Sequence, residues 1–319
     1  MPNSRWRIRR TRKLASATLV VALFAGGCGG SGADGPVAGD ATADGPPKVL
    51  TTFTVIADMA QRVAGDRLVI ESITKPGSEI HEYEPTPDDL IRAQDADLVL
   101  DNGLGLERWF SRFVDRTGAR SATLSDGVDP IPIAIGSYQG QPNPHAWMSP
   151  RAGEIYVGNI AAALGELDPP NAGVYRANAE AYAAELRGVG EQLRRELATL
   201  PPDQRALVTC EGAFSYLARD AGLAEGYLWP VNADAEGTPQ QIAAAVGFVR
   251  DRAVPAVFCE STVNDGAQQQ VARETGARMG PQLYVDSLSR ADGPVPTYLD
   301  LLAHDARAIV TGLTGRSPA

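Results

Sequence analysis

Apolar and polar positions along the chain fall into two blocks of similar rhythm, separated by one long helical stripe. From Val49 onward, short β-rich runs alternate with segments of helical spacing. Residues 49–55 predict a strand, 56–65 a helix and 67–74 a second strand; 96–100 and 131–135 predict two more, with helical spacing between them. The rhythm restarts after Leu200, where strands are expected at 206–209, 226–231, 254–259 and 282–285. Strands alternating with helices imply βαβ units and mostly parallel sheets, an α/β fold. Between the blocks, Tyr182, Leu186, Val189, Leu193, Leu197 and Leu200 recur at intervals of 3 and 4, a continuous apolar face. A helix over 171–200, entered through Pro169-Pro170, would be about 45 Å long. Gly188 and Gly190 mark where it would bend most easily. The expected organisation is an N-terminal α/β lobe at 48–168, a connecting helix at 169–200 and a C-terminal α/β lobe at 201–319.

The first 47 residues follow a different logic. Arg5, Arg7, Arg9, Arg10, Arg12 and Lys13 precede an apolar stretch at 14–25, and Gly26, Gly27 and Cys28 follow. This is the pattern of an export signal over 1–27, too short to serve as a mature span of roughly 30 Å of hydrocarbon. A Cys directly after small residues resembles a bacterial lipoprotein cleavage site, with Cys28 as the lipidated first residue. Residues 28–47 contain little beyond Gly, Ala, Asp and Pro after that Cys and read as a flexible tether. Removing 1–27 leaves 23 basic against 39 acidic residues, a balance of −16. Such a surface repels nucleic acid and anionic lipid, and it suits cation capture as readily as plain solubility.

The chain has only 3 histidines. His81 lies in a loop after the second expected strand, and His145 in a loop after the last strand of the first block. His304 sits on a C-terminal helix with Asp300 and Arg307 and reads as a surface residue. Two carboxylates directly follow apolar strands, Glu211 after 206–210 and Asp286 after 282–285. That position is the carboxyl end of a strand, where open α/β sheets bind ligands. Each of these residues also fits a solvated loop or a helix cap when taken alone. Cys210 and Cys259 are the thiols of the mature body; export permits a disulfide between them, which is the expected state, with two buried free thiols as the alternative because spacing alone does not bring the sulfurs together.

Seven segments carry a more specific signal. They are Thr51-Thr-Phe-Thr-Val-Ile-Ala-Asp-Met59, His81-Glu-Tyr-Glu-Pro-Thr-Pro87, Ala96-Asp-Leu-Val-Leu-Asp-Asn-Gly-Leu-Gly-Leu-Glu-Arg-Trp109, Pro144-His-Ala-Trp-Met148, Glu211-Gly-Ala-Phe214, Glu236-Gly-Thr-Pro239 and Asp286-Ser-Leu. In this order, over residue 49 to about 315, the chain resembles the metal-specific solute-binding proteins of cluster 9 (A-I), which serve ATP-binding-cassette importers of manganese, iron and zinc. The resemblance implies two βα lobes joined by one long rigid helix, with a metal site in the cleft between them. It implies four metal ligands, two from each lobe: His81, His145, Glu211 and Asp286. A Cys ligand is not part of that pattern.

Zinc-specific relatives usually carry a third His where this chain has Glu211, and many add a His-rich acidic loop that is missing here. Two imidazoles with two carboxylates favour harder ions of higher coordination number, so Mn²⁺ is the expected cargo, with Fe²⁺ and Zn²⁺ as alternatives. The expected partner is the membrane permease of an ABC importer, with the chain a monomer at the extracytoplasmic face, lipid-anchored and not an enzyme. A metal-dependent hydrolase is one rival reading, with Glu82 and Glu84 as its only nearby bases. A surface adhesin is the other.

Overall fold

The computed structural model describes residues 45–316, apart from 111–112, 115–117 and 232–236. The signal over 1–27, Cys28 and the tether as far as residue 44 lie outside the described residues, as does Glu236.

The first half is built on one parallel sheet. β1 (Lys48–Thr51) lies between β2 (Val69–Ser72) and β3 (Leu98–Asp101), and β3 carries β4 (Ser121–Thr123) at the edge. The register sets Val49 opposite both Ile70 and Leu98, and Val99 opposite Ser121. Burial of Val49, Leu50, Val99 and Leu100 reflects helices on both faces, as a parallel sheet requires. The crossovers are α1 (Thr54–Ala64) and α2 (Pro87–Gln94). The start of α2 is defined by a capping box between Thr86 and Asp89 with Pro87 in the first turn.

Two helices then lead to the second half: α3 (Pro150–Leu167), capped by the Ser149 hydroxyl, and α4 (Ala172–Leu197). The second half repeats the first in miniature. β5 (Ala206–Glu211) pairs in parallel with β6 (Ala224–Trp229) across α5 (Ser215–Ala221), and β7 (Ala256–Val257) pairs with β8 (Arg278–Met279) across α7 (Gly266–Thr275). The Phe258 N–H donates to the Val208 carbonyl at 2.8 Å and joins the two ladders, while α6 (Pro239–Asp251) connects β6 to β7. α8 (Tyr298–Thr314) closes the chain.

Three expected strands are corrected. Residues 49–55 do not form one strand: β1 stops at Thr51 and the last apolar residues open α1. Residues 131–135 form a local hairpin, in which the Ile133 N–H donates to the Gln141 carbonyl and the Gly140 N–H returns to Ile133. Pro130 and Pro132 lack the N–H that a central strand needs. The fourth strand is instead the polar Ser121–Thr123. Residues 282–285 make only a single parallel bridge, Glu260 to Leu283, and on the other side of the segment the Tyr284 N–H donates to the Asp305 carboxylate of α8.

The long apolar stripe lies on α4, and Tyr175 and Ala179 extend it. Tyr182, Leu186, Leu193 and Leu197 are buried against α3, α8, α1 and α5, which come from both halves. The largest apolar cluster therefore runs without a break from Val49 to Leu313. Neither Gly188 nor Gly190 interrupts the helix; Gly190 is where Pro150 of α3 comes close, so that a Cβ there would meet its ring at 3.3 Å.

Candidate metal centre

All four candidate side chains sit at the carboxyl ends of strands or in the loops that follow them. The His81 loop, after β2, is shaped by the Glu79 carboxylate, which accepts the backbone N–H groups of His81 and Glu82 at 3.1 and 3.2 Å. His145 precedes a 3-10 turn, Ala146–Met148, that leads into α3. Glu211 is the last residue of β5, and Asp286 ends the segment bridged through Leu283. The structure brings these four together and leaves His304 outside, where its Nε2 approaches the Gln282 carbonyl at 3.0 Å. Glu82 and Glu84 are exposed on the surface.

Within the cluster the His81 and His145 Nε2 atoms are 3.0 Å apart. Glu211 Oε1 lies 3.3 Å from the first and 3.4 Å from the second, and Asp286 Oδ1 lies 3.7 Å from His81 Nε2. One potential ligand atom from each of the four falls within 4.8 Å of all the others. Donors bound to one ion at roughly 2.0–2.3 Å stand about 3–4.5 Å apart, so these contacts match an ion's coordination shell. His81 is 8% exposed and the other three are fully buried, which makes uncompensated charge here costly.

The electrostatics follow from that burial. For Glu211, burial alone would raise the carboxyl; the imidazoles of His145 and His81 outweigh it and hold the group well below the ordinary carboxylate range. For His81, burial favours the neutral ring, but the charges of Glu211 and Asp286 prevail and raise it well above its ordinary value. Two imidazoles and two carboxylates converging in a buried space could hold a divalent cation in place of the proton on His81.

Behind the cluster stands Glu260, only 1% exposed, whose Oε2 accepts the Glu211 N–H at 3.2 Å. Burial, reinforced by the Glu211 charge, raises its carboxyl well above the ordinary value. Sequence reasoning passed over Glu260, although it follows the expected strand at 254–259 just as Glu211 follows 206–210. Cys210 and Cys259, one residue before each of these glutamates, are joined by a disulfide and so offer no thiolate to a metal. Closing a separation of 49 residues is worth about 4 kcal/mol in the chain-entropy description.

Contacts across the cleft tie the loops together. The Trp147 indole N–H donates to the Val285 carbonyl at 3.2 Å, joining the turn after His145 to the residue before Asp286. The Gly77 N–H donates to Ser287 Oγ at 2.7 Å, and the Leu288 N–H to Thr54 Oγ1 at 3.0 Å.

Comparison with known proteins decides the family. Residues 49–312 match the model of the periplasmic zinc-uptake complex component A, ZnuA. The chain belongs to this family. It is 52% identical over 266 residues to the iron-binding protein YfeA of Yersinia pestis, covering 83% of this chain and 86% of that one. It is 34% identical over 297 residues to the manganese-binding lipoprotein MntA of Halalkalibacterium halodurans, covering 93% and 96%. The Mn-bound periplasmic metal-binding protein of Candidatus Liberibacter asiaticus superposes with a TM-score of 0.78 at 39% identity, over 84% of this chain and 99% of that one. No helix among the described residues is long and apolar enough to cross a membrane.

Proposed function

We propose that this ZnuA-family protein captures one divalent transition metal between His81, His145, Glu211 and Asp286 and delivers it to the permease of an ABC importer. The observation that carries the reading is the buried convergence of these four side chains, with contacts of 3.0–3.7 Å and one potential ligand atom from each within 4.8 Å of all the others. Mn²⁺ is the favoured cargo, with Fe²⁺ and Zn²⁺ as alternatives, because two carboxylates able to bind through both oxygens suit a harder ion of higher coordination number. The names of the relatives support iron and manganese in this site class. Lipid on Cys28 would hold the protein at the extracytoplasmic face, with residues 28–47 as its leash and the body at 48–168, 169–200 and 201–319 acting as a monomer.

Four protein ligands leave little room for the open metal position that hydrolysis needs, and exposed Glu82 and Glu84 lie outside the buried cluster. The reading is therefore of a carrier and not an enzyme; an adhesin would have no use for a buried quartet. The test is the metal content of residues 48–319 after dialysis against limiting Mn²⁺, beside a Glu211→Ala, Asp286→Ala double variant. About one Mn²⁺ per wild-type chain and none in the variant is expected. No bound Mn²⁺ in the wild type, with Fe²⁺ or Zn²⁺ held instead, would overturn the choice of cargo, and no metal at all would overturn the site.

A further inference from the structure

Asn143 lies two residues before His145, is 2% exposed, and has every polar group engaged. Its N–H donates to the Ile131 carbonyl at 2.8 Å, and its carbonyl accepts the Tyr216 hydroxyl at 2.7 Å. Its side-chain Oδ1 accepts both the His145 backbone N–H at 3.0 Å and a hydrogen bond from His145 Nδ1 at 2.9 Å. Its Nδ2 donates across the cleft to the Gly212 carbonyl at 2.6 Å and to Ser215 Oγ at 3.1 Å. Ser215 Oγ in turn donates to Glu225 Oε2 at 2.6 Å.

The chemistry of these partners leaves one arrangement. A backbone N–H can only donate and a backbone carbonyl can only accept. The His145 N–H therefore requires the amide oxygen of Asn143 on its side, and the Gly212 carbonyl requires the amide nitrogen on the other. With Oδ1 facing the ring, His145 Nδ1 must carry a hydrogen, which leaves the Nε2 lone pair directed into the cleft. Ser215 reinforces the same orientation: its hydroxyl hydrogen is committed to Glu225, so its oxygen is free to accept from Nδ2.

We propose that Asn143, Ser215 and Glu225 form a positioning relay that fixes His145 as the Nδ1–H tautomer, so that Nε2 is the nitrogen presented to the metal. The relay rests on the metal-site reading above and adds to it residues that touch no metal themselves. It also fastens the His145 loop of the first half to Gly212, next to Glu211 in the second, so that the same amide orients one candidate ligand and sets its distance from another.

The test combines Mn²⁺ titration with ¹⁵N spectra of the histidine rings in the metal-free protein, at a pH where His145 is neutral. In the wild type, His145 should show a protonated Nδ1 and an unprotonated Nε2. Asn143→Ala should mix the two tautomers and weaken Mn²⁺ binding about 10- to 100-fold, the range typical of lost partners behind metal-bound histidine. Ser215→Ala and Glu225→Ala, further from the ring, should move both readouts in the same direction by about tenfold or less in affinity, and Glu225→Gln, which keeps an acceptor oxygen, should recover part of the loss. These variants decide the matter if Asn143→Ala fails to fold. Wild-type spectra in the folded variants would overturn the relay, whether or not affinity falls, because a purely structural defect would leave the tautomer alone. A wild-type protein that binds no metal would overturn the proposed site instead, and the metal-free spectra would still report on the relay.

Discussion

At the scale of single residues, His81 and Glu211 hold opposite charges while buried from solvent. The His81 ring is raised despite its burial, so its imidazolium stabilises the metal-free fold fully below the ordinary imidazole value of about 6.5. That contribution fades as pH rises through the raised value. Glu211, held low by the two imidazoles against its burial, contributes above the ordinary carboxylate range and loses that contribution as pH falls through its lowered value. Between these limits the metal-free cluster keeps a proton that a metal must displace. Binding of Mn²⁺ should therefore release about one proton and tighten about tenfold per pH unit below the raised His81 value. Calorimetry in two buffers of different ionisation enthalpy measures the proton directly; an affinity independent of pH would refute the displacement. The four residues that converge were legible because each has marked chemistry and stands at a strand end or in a nearby loop. Asn143 was not, since an amide shows its place only through partners distant in sequence, whereas Glu260 stands at a strand end as Glu211 does and was passed over.

At the scale of elements, the sequence reading recovered the alternation and the long helix but misplaced strands where the backbone found partners outside the sheet. The segment at 282–285 has a strand's composition, yet Asp305 from α8 takes the Tyr284 N–H at 3.0 Å. The hairpin at 131–142 likewise pairs with itself where Pro130 and Pro132 forbid a ladder. Ser121–Thr123 was missed because its polar residues carry no strand signal, although its backbone completes the sheet. Asp305 gives a test of its part in this exchange. Burial raises its carboxyl well above the ordinary value, and the Tyr284 N–H offsets that only in part. The folded state thus keeps a proton that the unfolded chain releases above about pH 3.9, so stability from this group is lost as pH rises. Asp305→Asn keeps an acceptor for Tyr284 and removes the proton. Its stability relative to wild type should increase with pH, by up to about 1.4 kcal/mol per unit until the raised value is reached. Urea unfolding of both metal-free proteins at pH 5 and pH 7 reads the difference, and a constant offset would show that Asp305 is not held protonated.

At the scale of the whole molecule, the decisive feature is that one helix of 26 residues, about 39 Å long, shares its buried face with helices of both halves. Two lobes linked by flexible strands can rotate at little cost, but here rotation would have to open a continuous core along Tyr182, Leu186, Leu193 and Leu197. It would also break the links from Trp147 to Val285, Asn143 to Gly212 and Gly77 to Ser287. Opening buried apolar surface costs roughly 25 cal/mol per Å², so a wide swing that exposed a few hundred Å² would cost several kcal/mol before any metal was gained. Local rearrangement of the carboxyl-end loops carries no such penalty. Metal binding should therefore leave the radius of gyration of the body, about 18 Å for this size, unchanged between metal-free and Mn²⁺-loaded forms. Amide exchange should slow in the loops around His81, His145, Glu211 and Asp286, while the centre of α4 keeps its protection. A contraction seen by X-ray scattering, with protection changing along α4, would mean that the helix is a hinge and that the shared core opens and closes with each ion carried.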